Sequence, residues 1–160
     1  MSNINKVVEC SNDFVNQFSG YLPVVIAVFL AYIAYQQMRI NKNKLKLDLY
    51  NQRFEVYASA LQFYQEVISA ECTKKEHRDF INKKESAYFL FSNNKYIYSI
   101  LNEMHTKSFI INGFRNTAEQ LNSSPEVFLK AQKESEEALQ WFEKVLDKLR
   151  DEMNTYLNFK

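Results

Sequence analysis

Two histidines, two cysteines and several carboxylate pairs are the side chains in this 160-residue chain whose types suit catalysis or metal binding. His77 and His105 each have an acid two residues away, Asp79 and Glu103. A lone histidine on a helix is more often a surface or core residue than a ligand, and neither shows a HExxH, GxSxG or Ser/His/Asp setting. The only glycines are Gly20 and Gly113, so no glycine-rich loop exists to cradle a phosphate. Cys10 and Cys72 form no CxxC spacing and no Cys/His cluster, which argues against structural zinc. The pairs Glu136/Glu137 and Asp151/Glu152 lack the Glu-x-x-His pattern of a di-iron bundle and read as a solvated face with mixed charges. The expectation is a protein that is not an enzyme and carries no cofactor or metal.

Charge offers two further candidates. Lys74, Lys75, Arg78, Lys83 and Lys84, with Lys95 beyond them, hold most of the positive excess of the chain. With Tyr88 and Tyr96 nearby they form a possible anionic-ligand patch, a cyclic nucleotide being one such ligand; the plainer alternative is a solvated face. The net charge is only +1, so no global basic field points to DNA or RNA, and no direct nucleic-acid motif is present. The second candidate is Arg39, Lys42, Lys44 and Lys46, four cations with no acid between them. They follow an apolar stretch and suit the surface of an anionic lipid membrane.

The elements that position these residues begin with that stretch. Tyr21 to Met38 carries no charge over 18 residues, about 27 Å as a helix and just enough for a hydrocarbon core. Pro23 suits a first helical turn, and Tyr21, Tyr32 and Tyr35 lie near the two ends as an aromatic belt does. A cleaved signal peptide would need a basic start and small residues after the apolar run; Lys6 stands nearly alone and bulky Gln36, Gln37, Met38 and Arg39 follow. A buried helix of a soluble core is the other alternative. The charge asymmetry predicts the C-terminal side in the cytoplasm and the N-terminus outside, in a bacterial inner membrane. The expected organisation is an extracytoplasmic tail over 1–20, a transmembrane helix over 21–40 and a cytoplasmic helical bundle over 41–160. In the tail Ile4, Val7, Val8, Phe14, Val15 and Phe18 share one helical face, the pattern of an amphipathic interfacial helix.

Two Gly and two Pro are too few for a strand-and-turn fold, so the expected class is all-α. Ile26, Phe29, Ile33, Ile40, Leu47, Tyr50, Phe54, Tyr57, Leu61, Tyr64 and Ile68 keep one three–four spacing and predict a single helix from Pro23 to about Cys72. Thr73 to Glu76 is a capping-box pattern and starts a second helix at Lys74, with Phe80, Ile81, Ala87, Tyr88 and Phe91 on its buried face. A third helix starts at Lys95, with Gly113 as a weak spot or close contact. A stop at Ser123 and Ser124 precedes a last helix from Pro125. That helix has Phe128, Ala131, Ala138, Phe142, Val145, Leu149 and Tyr156 inward at heptad spacing. The whole predicts an antiparallel bundle continuing from the transmembrane helix.

Ala27, Ala31 and Ala34 place small side chains on one stripe of the span, beside Ile26, Phe29 and Ile33. Small residues let helices approach closely in lipid, so these six are the expected packing positions of a homo-oligomer. A ring of such helices would enclose a pore with an apolar, dewetted gate.

The stretch from Asn43 to Tyr64, NKLKLDLYNQRFEVYASALQFY, directly after a single span, resembles a broad group of small bacterial membrane proteins. The ending from Trp141, WFEKVLDKLRDEMNTYLNF, is similar to theirs as well. The architecture is also similar to CRISPR-associated membrane accessory and effector proteins: the ring-forming, pore-type partners of the type VI-B nuclease, with a divergent HEPN-like bundle, and the cyclic-oligoadenylate-gated effectors of type III systems. That resemblance implies a non-enzymatic membrane effector that depolarises the membrane in antiviral defence, alongside nucleic-acid-targeting machinery. HEPN ribonucleases need an Arg followed four to six residues later by His; no Arg here has one, and His77 even precedes Arg78. The alternatives in other classes are a membrane-tethered interaction module and a cyclic-nucleotide-sensing membrane protein without a pore.

Overall fold

The computed structural model describes residues 21–70, 74–121 and 124–158. Among them every regular element is a helix: α1 Leu22–Ser69, α2 Lys74–Leu90, α3 Lys95–Leu121 and α4 Pro125–Leu157. The chain is all-α, as its scarcity of turn formers implies. The expected tail helix over 1–20, both cysteines, Thr73 of the capping pattern and Ser123 lie outside the described residues.

Helix α1 runs for 48 residues without an internal Gly or Pro beyond Pro23 in its first turn. Its first backbone bond runs from Val25 N–H to the Tyr21 carbonyl at 3.0 Å. It ends at Ser69 rather than near Cys72. The following residue, Ala70, has φ 64°, the left-handed conformation that closes many helices.

Two compact units divide the chain, Met1–Leu47 and Asp48–Lys160, and their boundary falls inside α1. In the first unit the described apolar side chains other than half-buried Ile33 stand open: Leu22 61%, Val25 63%, Val28 66%, Phe29 62% and Leu30 58% exposed. The second unit has a closed core. Its centre is Val56, Phe63 and Val67 from α1, Phe80 and Ala87 from α2, Ile97, Leu101, Met104 and Ile111 from α3, and Phe142, Val145, Leu149 and Met153 from α4.

The order is up-down-up-down, read from which residues meet. Phe63 stacks on Phe80, ring centroids 3.9 Å apart and nearly parallel, which ties α1 to α2. Tyr88 meets Tyr98 at 5.4 Å and Lys84 donates to Asn102 Oδ1 at 3.0 Å, an antiparallel α2/α3 hairpin. Phe114 lies 5.6 Å from Phe128 at one end of the α3/α4 pair, while Asn94 donates to Glu152 Oε2 at 2.8 Å at the other. Tyr64 lies 6.1 Å from Phe142, and the Arg53 guanidinium sits 5.0 Å from the centre of the Tyr156 ring, so α4 returns antiparallel to α1.

Helix ends leave carbonyls without intrahelical partners. Here arginines from neighbouring helices take two of these ends. Arg53 donates through Nε and Nη2 to the Leu90 carbonyl at 3.3 Å, closing α2. Arg115 donates to the Val67 and Ile68 carbonyls, closing α1.

The spaced series that marks α1 as one helix is not its buried line. None of Phe54, Tyr57, Leu61, Tyr64 and Ile68 is fully buried, whereas Val56, Ala60, Phe63 and Val67 are. The shift is one residue, or about 100° around the helix. Small Val and Ala occupy the line of closest approach, and Tyr57 and Tyr64 pack against the edge of the core, half-buried. Phe54 and Ile68 remain 48% and 41% exposed. Tyr88, expected inside, is also exposed, while its neighbour in the same predicted face, Phe91, is buried. Gly113 is not a close contact: a methyl group added there would meet nothing within 4 Å.

Candidate functional site

The packing positions read from the span lie along the first half of α1. Ala27, Ala31, Ala34, Ile26 and Phe29 are exposed and Ile33 is half-buried. This helix is long and apolar enough to cross a membrane, and none of its most apolar 18-residue window is buried within the chain. Near the end of that window Gln36 donates to the Tyr32 hydroxyl at 2.9 Å, one turn back, so two polar groups satisfy each other along the helix surface. Arg39, Lys42, Lys44 and Lys46 follow on the same helix, all exposed.

The five residues of the possible anionic-ligand patch separate into two sets. Lys74, Lys75 and Arg78 are exposed in the first turns of α2. Lys83 makes an ion pair with Glu55 of α1. Lys84 is turned inward, its side chain only 8% exposed, and is held by Glu85 at 3.0 Å, Asn102 Oδ1 at 3.0 Å and the face of Tyr98 at 5.7 Å. Burying an ammonium without partners would be costly. Lys84 therefore reads as a structural cation on the α2/α3 seam.

Open grooves line the α1/α2 face of the bundle. One of about 470 Å³ is bounded by Gln52, Glu55, Lys83, Ser86, Phe89 and Leu90. Another of about 550 Å³ lies between Glu55, Ser59, Gln62, Asp79, Asn82 and Lys83. Glu55 and Lys83 border both, and their ion pair sets opposite charges side by side where a single-sign pocket would be needed to hold an anion.

The histidines are not apart. His77 of α2 and His105 of α3 meet Nε2 to Nε2 at 3.0 Å. Aromatic rings surround the pair. Phe63 presents its edge to His77 at 5.6 Å, and Phe109 lies 5.5 Å from His77 and 4.8 Å from His105. Phe80 stands 6.5 Å from His105. Burial, then the charges of Lys84 and His77, hold His105 below the ordinary histidine pKa, with Glu85 acting weakly the other way. The pair supplies two nitrogen donors, and among the described residues no three His, Cys, Asp or Glu side chains gather as a metal shell.

Sequence reasoning treated the two histidines singly. The signal that joins them is the hairpin itself: both lie about equally far from the turn at Phe91–Asn94, so antiparallel closure of α2 on α3 sets them opposite each other. Comparison of the chain with family models, curated proteins and solved structures finds no match.

Proposed function

We propose that the chain is a single-pass membrane protein with its N-terminus outside and its bundle in the cytoplasm. On this reading it acts without catalysis, as a homo-oligomeric membrane effector. The observation that carries the reading is the bare apolar window of α1. Leaving a large apolar side chain in water instead of burying it costs about 1.5–3 kcal/mol, and this window presents Val24, Val25, Ile26, Val28, Phe29 and Leu30 together. Lipid removes that cost. Continuation of the same helix to Ser69 supports a retained anchor over a cleaved leader. The four cations from Arg39 to Lys46 support the orientation.

Expression in bacteria followed by alkaline extraction of the membranes tests the anchor. The full chain is expected in the pellet until detergent is added, and recovery in the aqueous supernatant overturns the reading. Reporter fusions at each end test the orientation. Crosslinking in native membranes is expected to give a ladder of oligomers, and monomers alone would remove the assembly part. The finer proposal, that the assembly depolarises the membrane, is tested by a potential-sensitive dye on induction.

A second reading is a tethered interaction module without conductance. The apolar side chains left open on the bundle favour it: Phe89 is 78%, Leu129 64% and Phe109 57% exposed. An unchanged dye signal combined with specific crosslinks to the bundle would select this reading over the first.

A further inference from the structure

We infer that His77 and His105 form a proton-operated latch between α2 and α3, closed when the pair shares a single proton between its facing nitrogens and opened when each ring carries its own. The inference concerns the bundle alone and stands whether or not α1 lies in lipid.

The geometry supplies the argument. At 3.0 Å between two Nε2 atoms there is room for one hydrogen, donated by one ring to the lone pair of the other. Two neutral imidazoles satisfy that arrangement if one is the Nε2–H tautomer. A single added proton is also accommodated, because a cation on one ring still donates to a neutral partner. A second proton leaves two N–H groups pointing at each other and two like charges a few ångströms apart, in a half-buried site that aromatic rings partly shield from water.

The surroundings sharpen the response. From α1 the pair is faced by the neutral Phe63 ring. From α2 come Phe80, the buried ammonium of Lys84 and the carboxylate of Glu85, with Glu76, Arg78 and Asp79 flanking His77 along the helix. From α3 comes Phe109, with Glu103 and Lys107 paired at 3.6 Å beside His105. From α4 the Trp141 ring takes the Lys107 ammonium at 5.4 Å. Lys84 opposes further positive charge at His105, and Glu85 only partly offsets it.

The sign of the effect follows from His105. Its folded pKa lies below the ordinary histidine value of 6.5, so below that pH the unfolded chain takes up more protons than the folded one. Stability is therefore full above the unfolded value and falls as pH drops beneath it. The hydrogen bond joins α2 directly to α3, so the loss falls on that seam, where the Lys84–Asn102 bond lies about two turns away along α2 and about one along α3.

The experiment uses the full chain in detergent micelles. Imidazole nitrogen NMR is recorded through a pH titration, and thermal unfolding is followed at neutral and mildly acidic pH for wild type, His105→Gln and His77→Gln. His105 is expected to stay neutral at pH values where a free histidine is already half-protonated. The wild-type melting temperature is expected to fall by several degrees on acidification. His105→Gln, which keeps a hydrogen-bonding group but cannot titrate, is expected to lose most of that fall, and His77→Gln, which leaves the burial of His105 and Lys84 in place, a smaller part of it. A His105 that titrates like a free imidazole overturns the proposal, as does an acid-induced drop of equal size in wild type and both variants. Should either variant fail to fold, the wild-type NMR titration alone decides between these outcomes.

Discussion

Phe29 and Phe63 sit on the same helix and have the same side chain, yet one is 62% exposed and the other 1%. The first belongs to a stretch whose neighbours are all apolar and open. The second lies face to face with Phe80 inside the bundle, its ring 3.9 Å from its partner. The contrast marks two surroundings along helix α1: an open apolar surface in its first half and a packed core in its second. From Leu22 to about Tyr35 its surface is apolar all round, the composition of a helix whose environment is itself apolar. From about Val56 onward its apolar residues narrow to one face, and the rest is polar enough for water. Between them Arg39 to Lys46 place charge at the point where one environment would give way to the other.

The strongest way to break this comparison is to truncate both phenylalanines. Phe63→Ala is expected to destabilise the bundle by about 3–5 kcal/mol, because it removes a buried ring and leaves Phe80 without its stacking partner. Phe29→Ala removes the same atoms from an exposed site and is expected to leave the unfolding of the bundle within about 0.5 kcal/mol of wild type. Thermal melts in micelles give both values. Equal losses at the two positions would mean that Phe29 packs against protein after all.

A second test acts on the apolar half alone. Leu30 is 58% exposed near the middle of the window. Leu30→Lys places a charge there at an insertion cost of about 2.5–3.5 kcal/mol. The expected result is a large shift of the chain from membrane to soluble or degraded fractions, with the core of any recovered bundle unchanged by circular dichroism. The matching change on the other half, Phe54→Lys at a 48% exposed position, is expected to leave fractionation as it was.

A third test concerns how α1 ends. Arg115→Ala removes both side-chain donors to the Val67 and Ile68 carbonyls and is expected to cost about 1–3 kcal/mol, measured by denaturant unfolding. Arg115→Lys is expected to recover only part of that, since an ammonium lacks the forked geometry that reaches two carbonyls at once.

These outcomes bear on what was readable from the chain before any fold was known. The four helices and their order were, because Pro23, the Lys74 and Lys95 starts and Pro125 are local signals that act within a turn or two. The inward face of α4 was as well, since Ala138, Phe142, Val145 and Leu149 form one strong apolar stripe. The inward face of α1 was not, because the three–four series that marks the helix lies one residue off its buried line. There two apolar stripes run side by side, and periodicity cannot say which of them meets α2 and α4. Val56 and Ala60 lie outside the spaced series; they are small, and smallness is what close approach selects. The arginines that close α1 and α2 act over 48 and 37 residues of separation. No local pattern marks them. The His77–His105 contact was within reach, since it needs only the hairpin and the length of its turn, but it appears only when two helices are read together. Lys84 illustrates the same limit: its place in a run of lysines suggested a solvated or ligand-binding cation, while its burial is decided by Asn102 on the next helix.

The smallest expected effect lies just past the end of α1, at Ala70. Its φ of 64° is the left-handed conformation, which an alanine adopts at a cost of about 1 kcal/mol relative to glycine because its Cβ crowds the following carbonyl. Ala70→Gly removes that crowding but also gives the unfolded chain more freedom, which offsets part of the gain. The net expectation is a stabilisation of about 0.5 kcal/mol, a rise of a few degrees at most in melting temperature. Ala70→Val should move the other way, because branching at Cβ makes the left-handed region worse. If both substitutions lower stability equally, the side chain at this position is contributing packing rather than strain, and the end of α1 is held by the Arg115 bonds alone. If the glycine stabilises and the valine destabilises, the backbone turn at Ala70 is a fixed feature of the bundle, and the contrast between the two halves of α1 extends to how the second half is brought to a stop.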